Sequence, residues 1–189
     1  MDTRFELINR SSTYHDLLHD IETILSNEDL FYGHGTDNAM DESMAIIMHL
    51  LQSHDPLKED QLNASIQVGF LKKAKEILYQ RIVELKPLPY ITNEAYFCGK
   101  RFYVDERVLI PRSPIAELIN NRFEPWIKAS SLNRILEIGT GSGCIALSIA
   151  SIFSDTEVVA TDVSSDALDV ASMNAKAHDS DNQVKIIES

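Results

Sequence analysis

Cysteine is almost absent from this 189-residue chain, with only Cys98 and Cys144 present, too few for a disulfide framework or a zinc cluster. Each sits in an apolar context and reads as a buried free thiol in a reducing cytoplasm. Basic residues are scarce as well: 17 Lys and Arg against 29 Asp and Glu give a formal charge of −12. That balance argues against a broad electrostatic footprint on nucleic acid and fits a basic protein partner. No apolar run approaches the ~20 residues needed to span a bilayer, and the start, Met-Asp-Thr-Arg-Phe-Glu, lacks the basic-then-apolar pattern of an export signal. No metal site is legible: His15 and His19 lie one helical turn apart without a third ligand nearby, and a solvated helix face accounts for them. The remainder, 44% hydrophobic and 24% charged, is an ordinary globular balance long enough for one domain or two small ones.

Glycine is also sparse, seven in all, yet three fall within Gly139–Gly143. Ile135, Leu136 and Ile138 before this loop form a near-continuous apolar run of the kind buried in a parallel sheet, and Ile145, Ala146, Ile149 and Ala150 after it recur at helical spacing. Strand, tight loop, helix is the expected order, with main-chain N–H groups brought against a small ligand. The spacing is Gly-x-Gly-x-Gly, not the Gly-x-Gly-x-x-Gly of dinucleotide binders, and Glu137 stands two residues before the first glycine. A carboxylate there opposes a pyrophosphate and suits S-adenosylmethionine, which carries positive charge beside an adenosine. A second short buried strand, Glu157–Asp162, ends about twenty residues on in an acid placed to accept both ribose hydroxyls. A plain tight connection and nicotinamide or flavin binding are the alternatives, and neither accounts for Glu137.

Taken in order, Leu17, Leu18, Ile21, Ile24 and Leu25 mark a first helix ending near Ser26, with Ser11, Ser12 or Thr13 as N-cap. Asp37 is the expected cap of a second, with Asp41 and Glu42 in its first turn against the helix dipole and Met40, Met44, Ile47, Met48 and Leu51 facing inward. A longer third helix is expected from about Ser65, burying Phe70, Leu71, Ala74, Ile77, Leu78, Ile82 and Leu85, with Lys72, Lys73, Lys75, Glu76, Arg81 and Glu84 toward solvent. Pro87-Leu-Pro-Tyr90 ends the helical region stiffly and sets a boundary. Tyr90–Ile110, aromatic and β-branched around Gly99, reads as a β-hairpin that joins two domains or walls a pocket. Pro111-Arg-Ser-Pro-Ile115 then aims a rigid turn into a helix from Ala116 to about Phe123, with Arg112 either a surface charge or a clamp in a substrate pocket beside Pro111. Ser164 or Ser165 caps a helix to Ala177, and Val184–Ile187 begins a third strand.

With these pieces placed, the whole chain resembles the glutamine methyltransferases that act on release factors and ribosomal proteins. Gly139-Thr-Gly-Ser-Gly143 with Asp162 is shared by many methyltransferases, whereas Tyr96-Phe-Cys-Gly99 and Val108-Leu-Ile-Pro-Arg-Ser-Pro-Ile115 are far more particular. The Arg-Ser-Pro-Ile wording resembles the branch that acts on large-subunit ribosomal protein uL3; the release-factor branch usually has Arg-Pro followed by acids there. The resemblance implies an α/β protein: a helical substrate-recognition domain (1–88), a connecting hairpin (89–111) and the first half of a Rossmann-like class I methyltransferase domain (112–189). It implies S-adenosylmethionine as cofactor, Gly139, Thr140, Gly141, Ser142 and Gly143 at its methionine end, Asp162 at its ribose and Glu137 in a lesser role. It also implies uL3 as partner and no direct contact with nucleic acid.

The family's Asn-Pro-Pro-Tyr motif, which holds the glutamine amide, has no counterpart here, and Pro87-Leu-Pro-Tyr90 is not it. The expectation is therefore a fragment with no catalytic residue of its own, weak cofactor binding, and an open edge on the strand Arg134–Ile138 through which copies associate. A methyltransferase for RNA or a small molecule, the release-factor enzyme, and a non-catalytic interaction module are the alternatives.

Overall fold

In the computed structural model, which describes residues 3–128, 132–180 and 182–189, the apolar spacing around Leu17 folds into α1 (Tyr14–Ser26). Thr13 caps it: its side chain accepts from the Asp16 N–H, and Asp16 in turn accepts from the Thr13 N–H, the reciprocal arrangement that satisfies two otherwise orphan donors. Helix α2 (Ala39–Leu51) is capped by Asn38, one residue after the expected Asp37. Two short 3₁₀ turns precede α1, a four-residue helix α3 (Glu59–Leu62) follows α2, and then come α4 (Phe70–Ile82) and α5 (Leu88–Thr92). These helices share one core built on Ile8, Leu17, Ile21, Leu25, Ile46, Ile47 and Leu78.

Three expectations for this region change. Helix α4 begins at Phe70 and not near Ser65, because Ser65 forms a bridge with Thr13 and Gly69, at φ 91°, starts the helix in the left-handed region. Its last expected core residue, Leu85, lies beyond the helix at φ 54° and is exposed. The buried face of α2 is Glu42, Ser43, Ile46, Ile47 and Leu50, with the methionines only half-buried. The cause is a charge pair: Arg81, expected in solvent, is buried and donates from Nε to Glu42 Oε1 at 2.5 Å and from Nη2 to the Phe31 carbonyl at 2.9 Å. Finally, Leu88–Thr92 is helical instead of extended. Pro89 fits because a helix makes no use of the N–H of its first turn.

The chain divides into two units, Met1–Thr92 and Asn93–Ser189. The second opens with the hairpin, shorter than its expected span: β1 (Glu94–Phe97) pairs antiparallel with β2 (Lys100–Tyr103). Cys98 and Gly99 between them both have positive φ, 48° and 72°, as a two-residue turn of matching twist requires. After α6 (Ile115–Asn120) the chain runs β3 (Arg134–Ile138), α7 (Cys144–Ile152), β4 (Glu157–Asp162), α8 (Ser165–Ala177) and β5 (Val184–Glu188). The three strands form a parallel sheet in the order β3, β4, β5, with α7 and α8 as its crossovers. Phe97, Phe102, Ile119, Leu147, Ile149, Val158, Ala160 and Val184 make its core. Among the described residues β3 has a partner on one side only, and alternation along it leaves Leu136 and Ile138 60% and 78% exposed.

Candidate functional site

A parallel strand alternates its side chains, so Glu137 shares the inward face of β3 with Ile135 and lies beneath the loop that follows. Its Oε2 accepts from Thr140 Oγ1 at 2.7 Å and from the Ala146 N–H, in the first turn of α7, at 3.0 Å. A carboxylate there also meets the positive end of the helix. Burial pushes this carboxyl above its usual range; the bonds from Thr140 and Ala146 pull the other way, and the nearby Asp162 charge adds to the rise.

Asp162 closes β4 on the opposite side of the loop. Its Oδ2 accepts from the Gly141 N–H at 2.9 Å and its Oδ1 from the Ser164 N–H at 3.1 Å. Each oxygen keeps a further lone pair, so the carboxylate is oriented and still able to accept two hydroxyls.

The loop itself differs from expectation in one respect that decides its chemistry. The Gly139 and Thr140 N–H groups both donate to the Thr161 carbonyl at 2.8 and 2.9 Å, and Gly143 N–H donates to the Thr140 carbonyl at 2.9 Å. With Gly141 given to Asp162, four of the loop's five main-chain donors are spent within the protein. The expected cradle of N–H groups is therefore not what the loop offers. Its glycines serve space: a Cβ on Gly139 or Gly141 would meet nothing within 4 Å, whereas one on Gly143 would press to 3.3 Å on Ala171 Cβ and Leu147 Cδ1. Gly139 and Gly141 thus border open space, and Gly143 lets α7 approach α8.

Other residues fall elsewhere. Ser142 is buried, and its carbonyl accepts from Asn174 Nδ2 on α8, a residue the sequence did not single out. Arg112 is exposed and Pro111 half-buried, and no described hydrogen bond or ion pair joins either to the loop. Burial raises the Cys144 thiol to about 11 and also raises that of Cys98, which leaves neither as a nucleophile at neutral pH. No group of three or more metal-ligating side chains occurs among the described residues, and no described helix is long and apolar enough to cross a membrane.

Comparison with known proteins gives the following similarities. The model of the methyltransferase small domain matches residues 121–189. A ribosomal protein uL3 glutamine methyltransferase of Francisella tularensis is 35% identical over 97% of this chain and 59% of its own length. One of Neisseria meningitidis is 36% identical over 93% of this chain and 58% of its own. The chain is similar to these two uL3 glutamine methyltransferases along nearly its whole length. It spans just under three-fifths of the length of these two relatives. Among solved structures, the N-terminal domain of human METTL16 in complex with SAH aligns at 18% identity with a TM-score of 0.38, over 75% of this chain and 51% of that one. At 97% and 93% of this chain, the similarity to these two relatives takes in the helical unit as well as the sheet.

Proposed function

We propose that the protein carrying this chain methylates the side-chain amide nitrogen of a glutamine in ribosomal protein uL3, and that this chain supplies the cofactor-binding elements. The observation that carries the reading is the loop's economy of donors. A phosphate or pyrophosphate needs free N–H groups, whereas here four are taken internally, Asp162 accepts from the Gly141 N–H and the Glu137 carboxyl lies beneath the loop. That environment suits a cationic ligand with a vicinal diol, and S-adenosylmethionine has both. When bound, it supplies a methyl electrophile that passes to the amide nitrogen as the nitrogen loses a proton, leaving S-adenosylhomocysteine. The chain's own residues hold and orient: Asp162 would take the ribose hydroxyls, Glu137 would add negative charge beside the methionine end, and Thr140 and Ser142 would keep the loop's shape. Such positioning is the larger part of catalysis when the nucleophile is a neutral amide.

The uL3 assignment rests on the similarity to the two uL3 glutamine methyltransferases, on Arg112-Ser-Pro-Ile115, and on a net charge of −12 facing a basic partner. We assign the helices of Met1–Thr92 to substrate recognition on the same grounds. The test offers purified uL3, a release factor and naked ribosomal RNA to the protein carrying this chain, with label in the cofactor methyl group. Glutamine labelling in uL3 is expected. Preferential labelling of the release factor would overturn the substrate, labelling of RNA the reaction class, and no labelling of any would favour a non-catalytic module.

A further inference from the structure

Asn174 sits in the last turn of α8, a place where an amide usually faces water, yet it is 1% exposed. Its three hydrogen bonds lead to two separate parts of the second unit. Oδ1 accepts from the Tyr103 N–H at 2.8 Å, and Nδ2 donates to the Tyr103 carbonyl at 3.0 Å and to the Ser142 carbonyl at 2.9 Å. Both amide protons are thereby used, and no other neutral side chain of this size offers two donors and an acceptor. One turn further along the helix, His178 packs its ring on Phe102 and places Nε2 2.9 Å from the Arg101 carbonyl, so α8 grips β2 at two successive levels. The Ser142 carbonyl, in contrast, belongs to the glycine loop, between two residues of positive φ, 55° and 79°.

We propose that Asn174 is a positioning residue that locks the Gly139–Gly143 loop to the β1–β2 hairpin, so that the loop's shape depends on the hairpin. This rests on the reading of the loop as the cofactor site only for its functional consequence. The lock acts at a sensitive point. Ser142 is flanked by left-handed glycines whose backbone has no side chain to restrain it, and one fixed carbonyl between them removes much of that freedom. A polar residue that merely filled the core would not need partners in two elements, and an apolar one would leave a donor and two acceptors buried without partners, each costly.

Hydrogen exchange by NMR on the chain tests the lock without any ligand. Asn174→Asp keeps the side-chain shape and the acceptor for the Tyr103 N–H but removes the donors to both the Ser142 and the Tyr103 carbonyls. The amides of Gly141 and Gly143 should then exchange about tenfold faster, the loss of one or two ordinary hydrogen bonds, while Tyr103 and the β4 amides of Val159 and Ala160 hold their rates. In Asn174→Ala the Tyr103 amide should accelerate too. Loop amides that keep their wild-type rates would overturn the proposal, as would uniform acceleration or loss of fold in both variants, which would make Asn174 an ordinary core residue. Titration with S-adenosylhomocysteine separates the two readings: weaker binding by Asn174→Asp joins lock to function. Absence of binding by the wild-type chain, with the exchange pattern intact, counts against the cofactor reading alone.

Discussion

Truncating Arg81 to alanine perturbs the helical unit where sequence reasoning placed a solvated charge. The Arg81 and Glu42 side chains are 6% and 3% exposed, and the pair is closed by Nε–Oε1 at 2.5 Å with a longer Nη2–Oε2 contact at 3.4 Å. Removing the guanidinium leaves Glu42, among the described side chains, with Thr36 Oγ1 at 3.3 Å as its remaining partner, deprives the Phe31 carbonyl of its donor and uncovers the Tyr32 ring, 5.9 Å from the guanidinium carbon. A buried ion pair broken from one side costs about 3–5 kcal/mol, a large share of the ~5–15 kcal/mol that holds a domain together. Urea denaturation followed by circular dichroism should therefore show Arg81→Ala losing its helical transition at much lower denaturant. The double variant Arg81→Met with Glu42→Leu should recover most of the loss, since a packed apolar replacement of a buried pair is often neutral or better. A single-variant cost under about 1 kcal/mol, the range of an exposed pair, would refute the burial argument.

Three further outcomes follow from the sheet unit. Because burial raises the Glu137 carboxyl in the folded state, the folded protein binds more protons than the unfolded one in the window above the usual carboxylate range, so this group's contribution falls as pH rises. Glu137→Gln, which keeps an acceptor for Thr140 and Ala146, should raise the melting temperature at neutral pH, lose that gain in acid and weaken binding of a cationic cofactor; a lower melting temperature at neutral pH would contradict this. Gly143→Ala and Gly139→Ala both pay for a left-handed φ, about 1–2 kcal/mol, but only the first meets Ala171 and Leu147 at 3.3 Å, so it should be the less stable of the two by denaturation, while Gly139→Ala should do more harm to binding than to stability. The one-sided β3, with Leu136 and Ile138 exposed, should draw copies of this chain together, visible as concentration-dependent sedimentation; a monomer at every concentration would refute it.

The sheet unit was largely legible because its signals are local. The apolar run of β3, the crowded glycines, the helical spacing from Ile145 and the acid at the end of β4 all fall within 29 consecutive residues, 134–162, and the sequence pattern alone placed these elements. What escaped depends on partners far along the chain. Asn174 bonds to Tyr103 across 71 positions and Arg81 to Glu42 across 39; each lies on a helix, and nothing in the period distinguishes a buried amide or guanidinium from a solvated one. The loop's donors were misjudged for a related reason. Glycine spacing announces a sharp turn, but whether its N–H groups face a ligand or the Thr161 carbonyl is fixed by how closely β4 runs alongside. Tyr90–Thr92 was misread because aromatic and β-branched residues favour strands on average, while two prolines set the start of a short helix.

The most direct test of the account is a titration of S-adenosylhomocysteine into this chain, followed by the amide signals of Gly139, Gly141 and Ser164, beside the same titration of Asp162→Ala and of a nicotinamide dinucleotide. Saturable shifts at those three amides are expected for the wild type. They should be lost in Asp162→Ala, which forfeits charge-assisted bonds to the ribose worth roughly 1.5–3 kcal/mol, and be absent with the dinucleotide. Shifts that survive Asp162→Ala unchanged, or a dinucleotide that binds more tightly, would contradict the acidic, donor-poor cradle on which the proposed methyl transfer depends.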